Sequence, residues 1–377
     1  MAKKRAYGEG TLSQRKSDGR WIGQLTVPNP NPKDFRQIRK TVSGKTQAEC
    51  KKKLDELKRK LASNTYVQPT KTTYVAYLST WLEQKANLEK LKASSIATHA
   101  SRIRLYIEPY FENIEIQKVT LPMLHAFYTA LAGKVSAHTV HKVHNIINNS
   151  FKFAVRDGIV AFNPAASALL PKFTVKKKSA LSSEEIMTLM VTAKDYQAQP
   201  TTKTKNVYPL ISLAINTGCR RGELAALHWD DVDLDNHCIT INHAIMEIGG
   251  KWILSTPKTE SSIRTIHISS SMTEILRQHR QIATGLYVFP ALNNPNVPMR
   301  PSNINRLFYT VIKKAGLKCG FHTLRHSHIT HLIENNVNLK TVQDRAGHSQ
   351  IATTMGYCHP SKLKDIQAAA IFDQFIQ

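Results

Sequence analysis

A tyrosine stands among histidines near the end of the chain, in the stretch AGHSQIATTMGYCHP over residues 346–360. His348 is followed nine positions later by Tyr357, and His359 comes two positions after that. A phenol has an ordinary pKa of about 10, so at neutral pH it is a poor nucleophile unless other groups activate its target. The chemistry open to Tyr357 therefore depends on which cationic side chains the rest of the chain brings to it.

Two upstream motifs supply cationic groups suited to a phosphate. In NTGCRRGELAALHW an apolar run turns into a predicted helix, and an arginine at such a turn can offer its planar fork to two phosphate oxygens. We assign that role to Arg220 and expect Glu223, three residues on, to orient it. In STPKTESSIRTI, Lys258 lies in a predicted turn at the tip of a mobile hairpin. There it can act as a point charge or a general acid, although a lone lysine in a turn is ordinarily just exposed.

The motif GFHTLRHSHITH contains one arginine and four histidines, namely His322, His326, His328 and His331. A zinc site is one interpretation, but the zinc-protease pattern HExxH requires a glutamate where Thr323 stands, and no acidic residue occurs nearby before Glu334. The favoured interpretation pairs His322 with Arg325, which lie three residues apart and therefore on one face near a helix start. That pair would offer an imidazole and a guanidinium to one anion.

Together these groups favour activation of a phosphodiester without a metal ion or another cofactor. The set contains two arginines, two histidines, a lysine and a tyrosine: Arg220, Arg325, His322, His348, Lys258 and Tyr357. The sequence has no pair of aspartates spaced for magnesium and no glycine-rich phosphate loop. The arginines would stabilise negative charge that develops on the phosphate oxygens, while Tyr357 attacks phosphorus and forms a covalent ester.

The bulk properties favour a nucleic-acid partner. The chain of 377 residues is long enough for two or three domains, and its 52 Lys and Arg against 27 Asp and Glu give a formal charge of +25. A membrane surface is the alternative, but no apolar run is long enough to span a bilayer, and the basic N-terminus lacks the apolar segment of a signal peptide. Five scattered cysteines without a CxxC pair indicate reduced thiols in a cytoplasm.

Residues 1–62 predict a small basic α+β domain, a three-stranded sheet with a helix packed on it. WIGQLTV and RQIRKTV are typical of strands, and PNPNPKDF suits the loop between them. Thr46 and Glu49 predict a capping box at the start of the helix. Residues 1–60 hold 17 Lys and Arg against 6 Asp and Glu, a net charge of +11. Exposed strands of such a domain can enter a DNA groove; the alternative is a lysine-rich domain that is merely soluble.

Residues 71–168, which follow a predicted linker over 63–70, predict an all-helical domain. We expect four helices, with Pro109 ending or kinking the second. The fourth helix carries three histidines on one face, namely His138, His141 and His144. We interpret them as a solvated or phosphate-facing stripe rather than a metal site, because no carboxylate or cysteine accompanies them.

Residues 179–377 predict a mixed α/β domain that is mainly helical, after a lysine-rich linker over 171–180. Ser182 and Glu185 predict a capping box at its first helix. HCITINHA, KWILSTP and IRTIHIS predict three strands, the first two joined through a Gly-Gly pair. All the phosphate-directed motifs fall in this segment, so it is the expected catalytic domain.

Several separated motifs resemble those of the tyrosine recombinases, in particular the phage and conjugative-transposon integrases. TGxRxxE matches Thr217 to Glu223, the strand-turn lysine matches Lys258, HxLR matches His322 to Arg325, and Gly-His with Tyr nine residues later matches Gly347, His348 and Tyr357. The one departure is Ala346, where leucine is commoner, and it concerns packing alone. The resemblance covers essentially the whole chain.

This resemblance implies a domain plan and a set of roles. Residues 1–62 would be an arm-type DNA-binding domain, 71–168 a helical core-binding domain, and 179–377 a catalytic domain. Its last segment, LKDIQAAAIFDQFIQ, would be a helix exchanged between protomers, unless it packs on its own domain. The residues implied to activate the scissile phosphate are Arg220, Lys258, His322, Arg325 and His348. Lys258 would protonate the 5′-hydroxyl leaving group, and Tyr357 would become a 3′-phosphotyrosine.

The resemblance also implies a function and partners. The chain would be a site-specific recombinase that integrates and excises a mobile element or prophage, in the cytoplasm of a bacterial host. Its partner would be double-stranded DNA with core-type and arm-type attachment sites, bound by a homotetramer that passes through a Holliday junction. An excisionase and a host DNA-bending protein are further expected partners, and neither a membrane nor a cofactor is expected.

Three other functions share parts of this pattern. A type IB topoisomerase uses the same chemistry, and a chromosome-dimer resolvase uses the same scaffold, but neither explains a separate basic domain at the N-terminus. A DNA-binding regulator that does not cut DNA would have no need for the full set of catalytic residues. The sequence therefore favours an integrase.

Overall fold

The computed structural model describes residues 10–27, 38–63, 66–174, 179–201, 204–255 and 263–358, together with Ile366 and Ala369. The loop PNPNPKDF, Lys258, His359 and nearly all of the predicted exchanged helix lie outside the described residues. The chain divides into two compact units, Met1–Thr174 and Val175–Gln377, and the division falls in the predicted 171–180 linker. None of the helices in the described part of the chain combines the length and apolar character needed to cross a bilayer.

The described part of the first unit contains a small sheet followed by helices. Its elements are β1 (Thr11–Gln14), β2 (Trp21–Val27), β3 (Ile38–Gly44), α1 (Gln47–Ala62), α2 (Tyr74–Leu88), α3 (Ala93–Arg102), α4 (Glu108–Phe111), α5 (Leu121–Ala132) and α6 (Ala137–Arg156). The sheet is antiparallel in the order β1-β2-β3, which confirms the predicted small α+β domain. Its first strand was not located from the sequence.

Helix α1 packs on one face of this sheet through an apolar cluster centred on Leu25, Leu54 and Leu57. The Thr46 hydroxyl accepts a hydrogen bond from the Glu49 N–H at 3.2 Å, as expected for a helix cap. The Glu49 carboxylate, however, accepts from the Lys45 N–H at 2.8 Å. The predicted capping box is therefore only half formed.

The helical part of the first unit is confirmed as an all-α domain built around aromatic side chains. The Tyr74 ring stacks on Phe151 at a centroid distance of 4.9 Å and meets the edge of Phe111 at 5.6 Å. Pro109 does not end its helix, because a π-helical turn over Ile103–Ile107 precedes it and helical structure continues to Phe111. A wider turn relieves the clash between a proline ring and the carbonyl of the preceding turn.

The histidine stripe of α6 differs from its prediction, because two of its members are engaged within the unit. His144 Nδ1 shares a hydrogen bond of 3.0 Å with the Tyr128 hydroxyl. His141 Nε2 donates to the Pro171 carbonyl at 2.9 Å, which ties down the chain that follows α6. His138 is exposed. His141 and His144 are therefore bound within the unit, and His138 remains on the exposed surface.

The described part of the second unit mixes short strands with helices, as predicted. Its elements are α7 (Ser183–Ala198), α8 (Val207–Thr217), α9 (Arg221–Ala226), β4 (Val232–Asp233), β5 (Cys238–Ile241), β6 (Ala244–Ile248), β7 (Lys251–Ser255), β8 (Arg264–His267), α10 (Ser270–Arg280), β9 (Pro290–Ala291), β10 (Asn294–Pro298), α11 (Pro301–Lys314), α12 (His322–Glu334), α13 (Leu339–Ala346) and α14 (Ile351–Met355). Ser182 and Glu185 form the predicted capping box before α7.

The strand pattern of this unit departs from the prediction at the first strand. HCITINHA is divided into β5, which pairs with β8, and β6, which pairs with β7 around the predicted Gly-Gly turn. The division falls at Asn242, whose side chain donates to the Asp231 carboxylate at 2.7 Å. Consequently β7 and β8, which flank Lys258 in the chain, belong to different sheets. The described residues form no hairpin between them.

Gly222, in α9, packs against the backbone of β6, and an added Cβ would lie 2.5 Å from the Ile245 carbonyl oxygen. We expect Gly222→Ala to lower the free energy of unfolding by about 1–3 kcal/mol, because a backbone atom in a sheet cannot move aside as a side chain can. Gly320→Ala is the matched control, since its Cβ would come no closer than 3.7 Å to the Tyr309 hydroxyl. Urea unfolding of the three proteins measures the difference, and equal losses in both variants would contradict the prediction.

Candidate active site

Arg220 lies at the turn between α8 and α9, as the sequence predicts. Helix α8 ends at Gly218, which has a left-handed φ of 66°. A Cβ at this position would lie 2.6 Å from Cδ2 of the His328 ring, so both the backbone conformation and the available space require glycine. The chain enters α9 directly after this tight turn, and the Arg220 side chain is 43% exposed.

Two groups hold the Arg220 guanidinium. Its Nη1 donates to Glu223 Oε1 at 2.8 Å, and its Nη2 donates to the Gly347 carbonyl at 3.0 Å. Burial alone would raise the pKa of Glu223, but the hydrogen bonds and charge of Arg264, together with the charge of Arg220, lower it below its ordinary value. Glu223 therefore remains a carboxylate, and it contacts Arg220 as the sequence analysis expects.

Arg325 lies in the first turn of α12 and is only 2% exposed. Its Nη1 donates to the Gly218 carbonyl at 2.9 Å, and its Nη2 donates to the Ala346 carbonyl at 2.6 Å. Burial and the nearby charge of Arg220 lower the pKa of Arg325 to about 10, so the guanidinium stays charged at neutral pH. His322, the first residue of α12, is exposed beside it.

Arg264 joins this cluster although the sequence analysis did not single it out. It opens β8 and its side chain is 6% exposed. Its Nη2 donates to Glu223 Oε2 at 2.8 Å, and its Nη1 donates to Glu223 Oε1 at 3.2 Å. Its Nε donates to the Arg345 carbonyl at 2.9 Å. The alternation of residues along β8 could have indicated that Arg264 is buried. Arg264 is on the same buried side of the chain as Ile266 and Ile268.

His348 follows the C-terminus of α13, where Gly347 has the left-handed conformation expected of a helix end. Its imidazole is 8% exposed, and its Nδ1 shares a hydrogen bond of 2.9 Å with the Thr354 hydroxyl. Burial, followed by the positive charges of Arg325 and Arg220, lowers the pKa of His348 to about 4. The ring is therefore neutral at neutral pH.

Tyr357 follows α14 and is half-buried, with its ring beside two histidines. The His326 ring meets it at a centroid distance of 4.9 Å and an angle of 64°. The His348 ring lies nearly parallel to it at 6.0 Å. Tyr357 also packs against the apolar cluster of Ile329 and Val342 beneath the cationic groups. Tyr357 therefore lies beside His348. The residue before His348, Gly347, accepts a hydrogen bond from Arg220 through its carbonyl.

The remaining histidines of the predicted metal alternative have separate partners. Arg345 Nε donates to His328 Nε2 at 3.2 Å, so His328 Nδ1 carries the proton and donates to the Ile215 carbonyl at 2.9 Å. His331 Nε2 donates to the Leu181 carbonyl at 2.8 Å. Among the described residues, no group of three or more His, Cys, Asp or Glu is placed to hold a metal ion.

The described residues therefore bring together five of the six predicted catalytic side chains, and Lys258 lies outside them. The cluster also contains two arginines that the sequence analysis did not select, Arg264 and Arg345. Glu223 pairs with two of these guanidiniums, those of Arg220 and Arg264, and the charge of Arg325 acts on the same group, so the positive charges described here outnumber this carboxylate. Such an arrangement can bind an anion and stabilise charge that develops on it.

Comparison with known proteins gives two matches to family models. The model of the phage integrase family matches residues 179–364, and the model of the phage integrase central domain matches residues 75–169. A "Tyrosine recombinase XerC-like" protein of Caldanaerobacter subterraneus subsp. tengcongensis is 28% identical, over 95% of this chain and 95% of that protein. The integrase of Staphylococcus phage L54a is 26% identical, over 82% of this chain and 95% of its own length.

Solved structures of integrases share the fold. The integrase of the transposon Tn1549, in complex with transposon right-end DNA, superposes with a TM-score of 0.69 at 19% identity and covers 81% of this chain and 100% of that chain. A lambda integrase tetramer bound to a Holliday junction superposes with a TM-score of 0.58 at 18% identity and covers 94% of this chain and 96% of that chain. At these identities the likeness concerns the fold alone.

His328 generates a prediction about stability and pH. Burial and the charge of Arg345 lower its pKa from 6.5 to about 4. Between these values the unfolded chain binds a proton that the folded chain does not, so stability is lost as pH falls from 6.5 towards 4. We expect His328→Gln to lower stability at neutral pH but to flatten this acid dependence. Urea midpoints measured from pH 7 to pH 5 test it.

The control is His267→Gln, at an exposed position of β8, which should keep the wild-type dependence on pH. An acid slope as steep in His328→Gln as in the wild type would contradict the prediction.

Proposed function

This chain belongs to the phage integrase family and is a tyrosine-type site-specific recombinase, and from that premise we propose how its residues cut and rejoin DNA. The Tyr357 oxygen attacks the scissile phosphorus, the bond from phosphorus to the 5′-oxygen breaks, and a 3′-phosphotyrosyl ester forms. The reverse attack by a 5′-hydroxyl of another strand releases Tyr357 and rejoins the DNA. Because each step exchanges one phosphodiester for another, the backbone energy is conserved in the ester.

The observation that carries this proposal is the cluster of guanidiniums on the Ala346 and Gly347 carbonyls, next to His348, whose ring stacks on Tyr357. Arg220 is partly exposed and already held by Glu223 and the Gly347 carbonyl, so it meets an incoming phosphate with little reorganisation. Arg325 is buried below it and adds a second fixed positive charge. We assign both arginines to the charge that develops on the non-bridging oxygens.

The two histidines then take different roles. His348 is neutral at neutral pH, because its pKa lies at about 4, so it serves the phosphate through a hydrogen bond and not through a charge. His322 is the first residue of α12 and is exposed, so it is accessible to solvent. We assign His322 to a hydrogen bond with the phosphate and to proton exchange with the phenol of Tyr357.

We assign Lys258 to protonation of the 5′-oxygen as it leaves. The residue lies on the connection between β7 and β8, and β8 begins with Arg264, which is anchored in the cationic cluster. Lys258 stands six residues before Arg264 in the sequence, and this closeness in the chain supports the assignment. General acid catalysis of this type contributes about a hundredfold or more to a rate.

The partner is double-stranded DNA, and the small N-terminal sheet supplies a second surface for it. The face of the sheet opposite α1 is almost entirely polar, with Thr11, Ser13, Ile22, Gln24, Thr26, Arg39, Thr41 and Ser43 in register. Hydroxyl, amide and guanidinium groups are those that read base edges in a groove. This surface favours an arm-type DNA-binding domain over residues 1–62 and argues against a topoisomerase, which needs no second site.

The similar integrases support a proposal for the wider assembly. The Tn1549 and lambda integrases were solved on DNA, the latter as a tetramer on a Holliday junction. We propose the same homotetramer for this chain, with residues 71–168 on core-type sites and 179–377 carrying the chemistry. An excisionase, a host DNA-bending protein and a bacterial cytoplasm complete the proposal. Integration and excision of a mobile element or prophage is then its biological outcome.

Tyr357→Phe tests the nucleophile. The ring and its contacts with His326 and His348 stay in place and only the attacking oxygen is lost, so we expect core-site DNA binding within about twofold of wild type and no covalent adduct. The assay is a suicide substrate nicked beside the scissile phosphate, resolved by denaturing gel, with and without EDTA. Wild-type adduct should persist in EDTA. An adduct formed by the variant would overturn the assignment.

Lys258→Ala tests the general acid. We expect cleavage of ordinary DNA to fall by about a hundredfold or more, because an alkoxide is a poor leaving group without a proton. A substrate with sulfur in place of the bridging 5′-oxygen should restore the rate, since a thiolate leaves unaided. Arg220→Ala is the comparison, and sulfur should not rescue it. Failure of sulfur to rescue Lys258→Ala would remove Lys258 from this role.

A further inference from the structure

All three side-chain nitrogens of Arg264 already donate to protein groups in the site, so we do not place this residue on the phosphate. Its side chain is 6% exposed, against 43% for Arg220. It donates hydrogen bonds to both carboxylate oxygens of Glu223 and, through Nε, to the Arg345 carbonyl. A buried ion pair is weak evidence for stability, because the cost of removing both charges from water offsets most of the attraction. Its place in the site therefore needs another explanation.

The explanation lies in the three consecutive carbonyls that end α13. The carbonyl of Arg345 accepts from Arg264, that of Ala346 accepts from Arg325, and that of Gly347 accepts from Arg220. The donors come from three separate elements: the strand β8, the helix α12 and the turn before α9. The carbonyls at the end of α13 thus bind three guanidiniums that would otherwise repel one another.

Arg264 differs from the other two because it connects both supports of Arg220. Arg220 rests on Glu223 and on the Gly347 carbonyl, and Arg264 bonds Glu223 directly and the end of α13 two residues before Gly347. The fit is close, since a Cβ at Gly347 would lie 2.9 Å from Arg264 Nη1. Movement of Arg264 would therefore shift both supports together.

We propose that Arg264 is a positioning residue for strand cleavage, one that fixes Arg220 and Arg325 by holding Glu223 and the end of α13 at a set separation. It does not touch the phosphate itself. The inference rests on the proposed function, because that function assigns Arg220 and Arg325 to the phosphate. It adds to that function a residue from β8 on which the spacing of the catalytic arginines depends.

Arg264→Lys is the test. Lysine keeps a positive charge beside Glu223, but its single ammonium cannot bond both the Glu223 carboxylate and the Arg345 carbonyl as the planar guanidinium does. Three quantities are measured on the full chain: the thermal midpoint, the affinity for a core-site duplex, and the rate of covalent complex formation at saturating nicked DNA. The matched control is Arg277→Lys, on α10, whose arginine pairs with Glu274 at 3.0 Å on the exposed surface.

We expect Arg264→Lys to remain folded and to bind core DNA within about threefold of wild type, while its cleavage rate at saturation falls by about ten- to a hundredfold. Arg277→Lys should match wild type in all three. A rate within twofold of wild type in folded Arg264→Lys would overturn the proposal. The proposal would also be overturned if the rate fell only in proportion to the loss of folded protein or of DNA affinity. That result would mean that Arg264 maintains the fold or the binding surface and does not position the catalytic arginines. If wild type itself forms no adduct, the proposed function fails instead.

Discussion

The C-terminal end of α13 is the feature on which the site depends. The last carbonyls of a helix have no partners within the helix and carry the negative end of its dipole, so they attract cations. Here three of them in succession accept from Arg264, Arg325 and Arg220. The need of the helix end for donors and the need of the site for concentrated positive charge are met by the same hydrogen bonds. Because each arginine is fixed before DNA arrives, little reorganisation is left for the moment of reaction.

The charge balance explains why a phenol can serve as the nucleophile. Glu223 offsets the charges of Arg220 and Arg264 but not that of Arg325, and His348 is kept neutral by burial and by its cationic neighbours. Net positive charge therefore remains for the phosphate. A phosphate whose oxygens are neutralised in this way is a stronger electrophile, so Tyr357 need not be ionised beforehand. The edge contact with His326 and the stacked ring of His348 hold the tyrosine ring in place.

Sequence patterns were sufficient for the fold class of each segment and for several helix ends, because these depend on local signals. Helix caps such as Ser182 and the left-handed Gly347 depend on neighbours within a few residues. The division of the predicted strand at Asn242 was missed, because it depends on a hydrogen bond to Asp231, eleven residues away. Arg264 was missed for a similar reason, since its partners, Glu223 and the Arg345 carbonyl, are distant in the chain.

The most direct test of the account is to identify the protein–DNA linkage itself. Wild-type protein is trapped on a nicked core-site substrate, digested with protease and nuclease, and the modified peptide is sequenced by mass spectrometry. The account predicts a nucleotide attached through its 3′-phosphate to Tyr357, in the peptide that follows His348. Attachment at the adjacent exposed thiol of Cys358, at any other residue, or through a 5′-phosphate would contradict it.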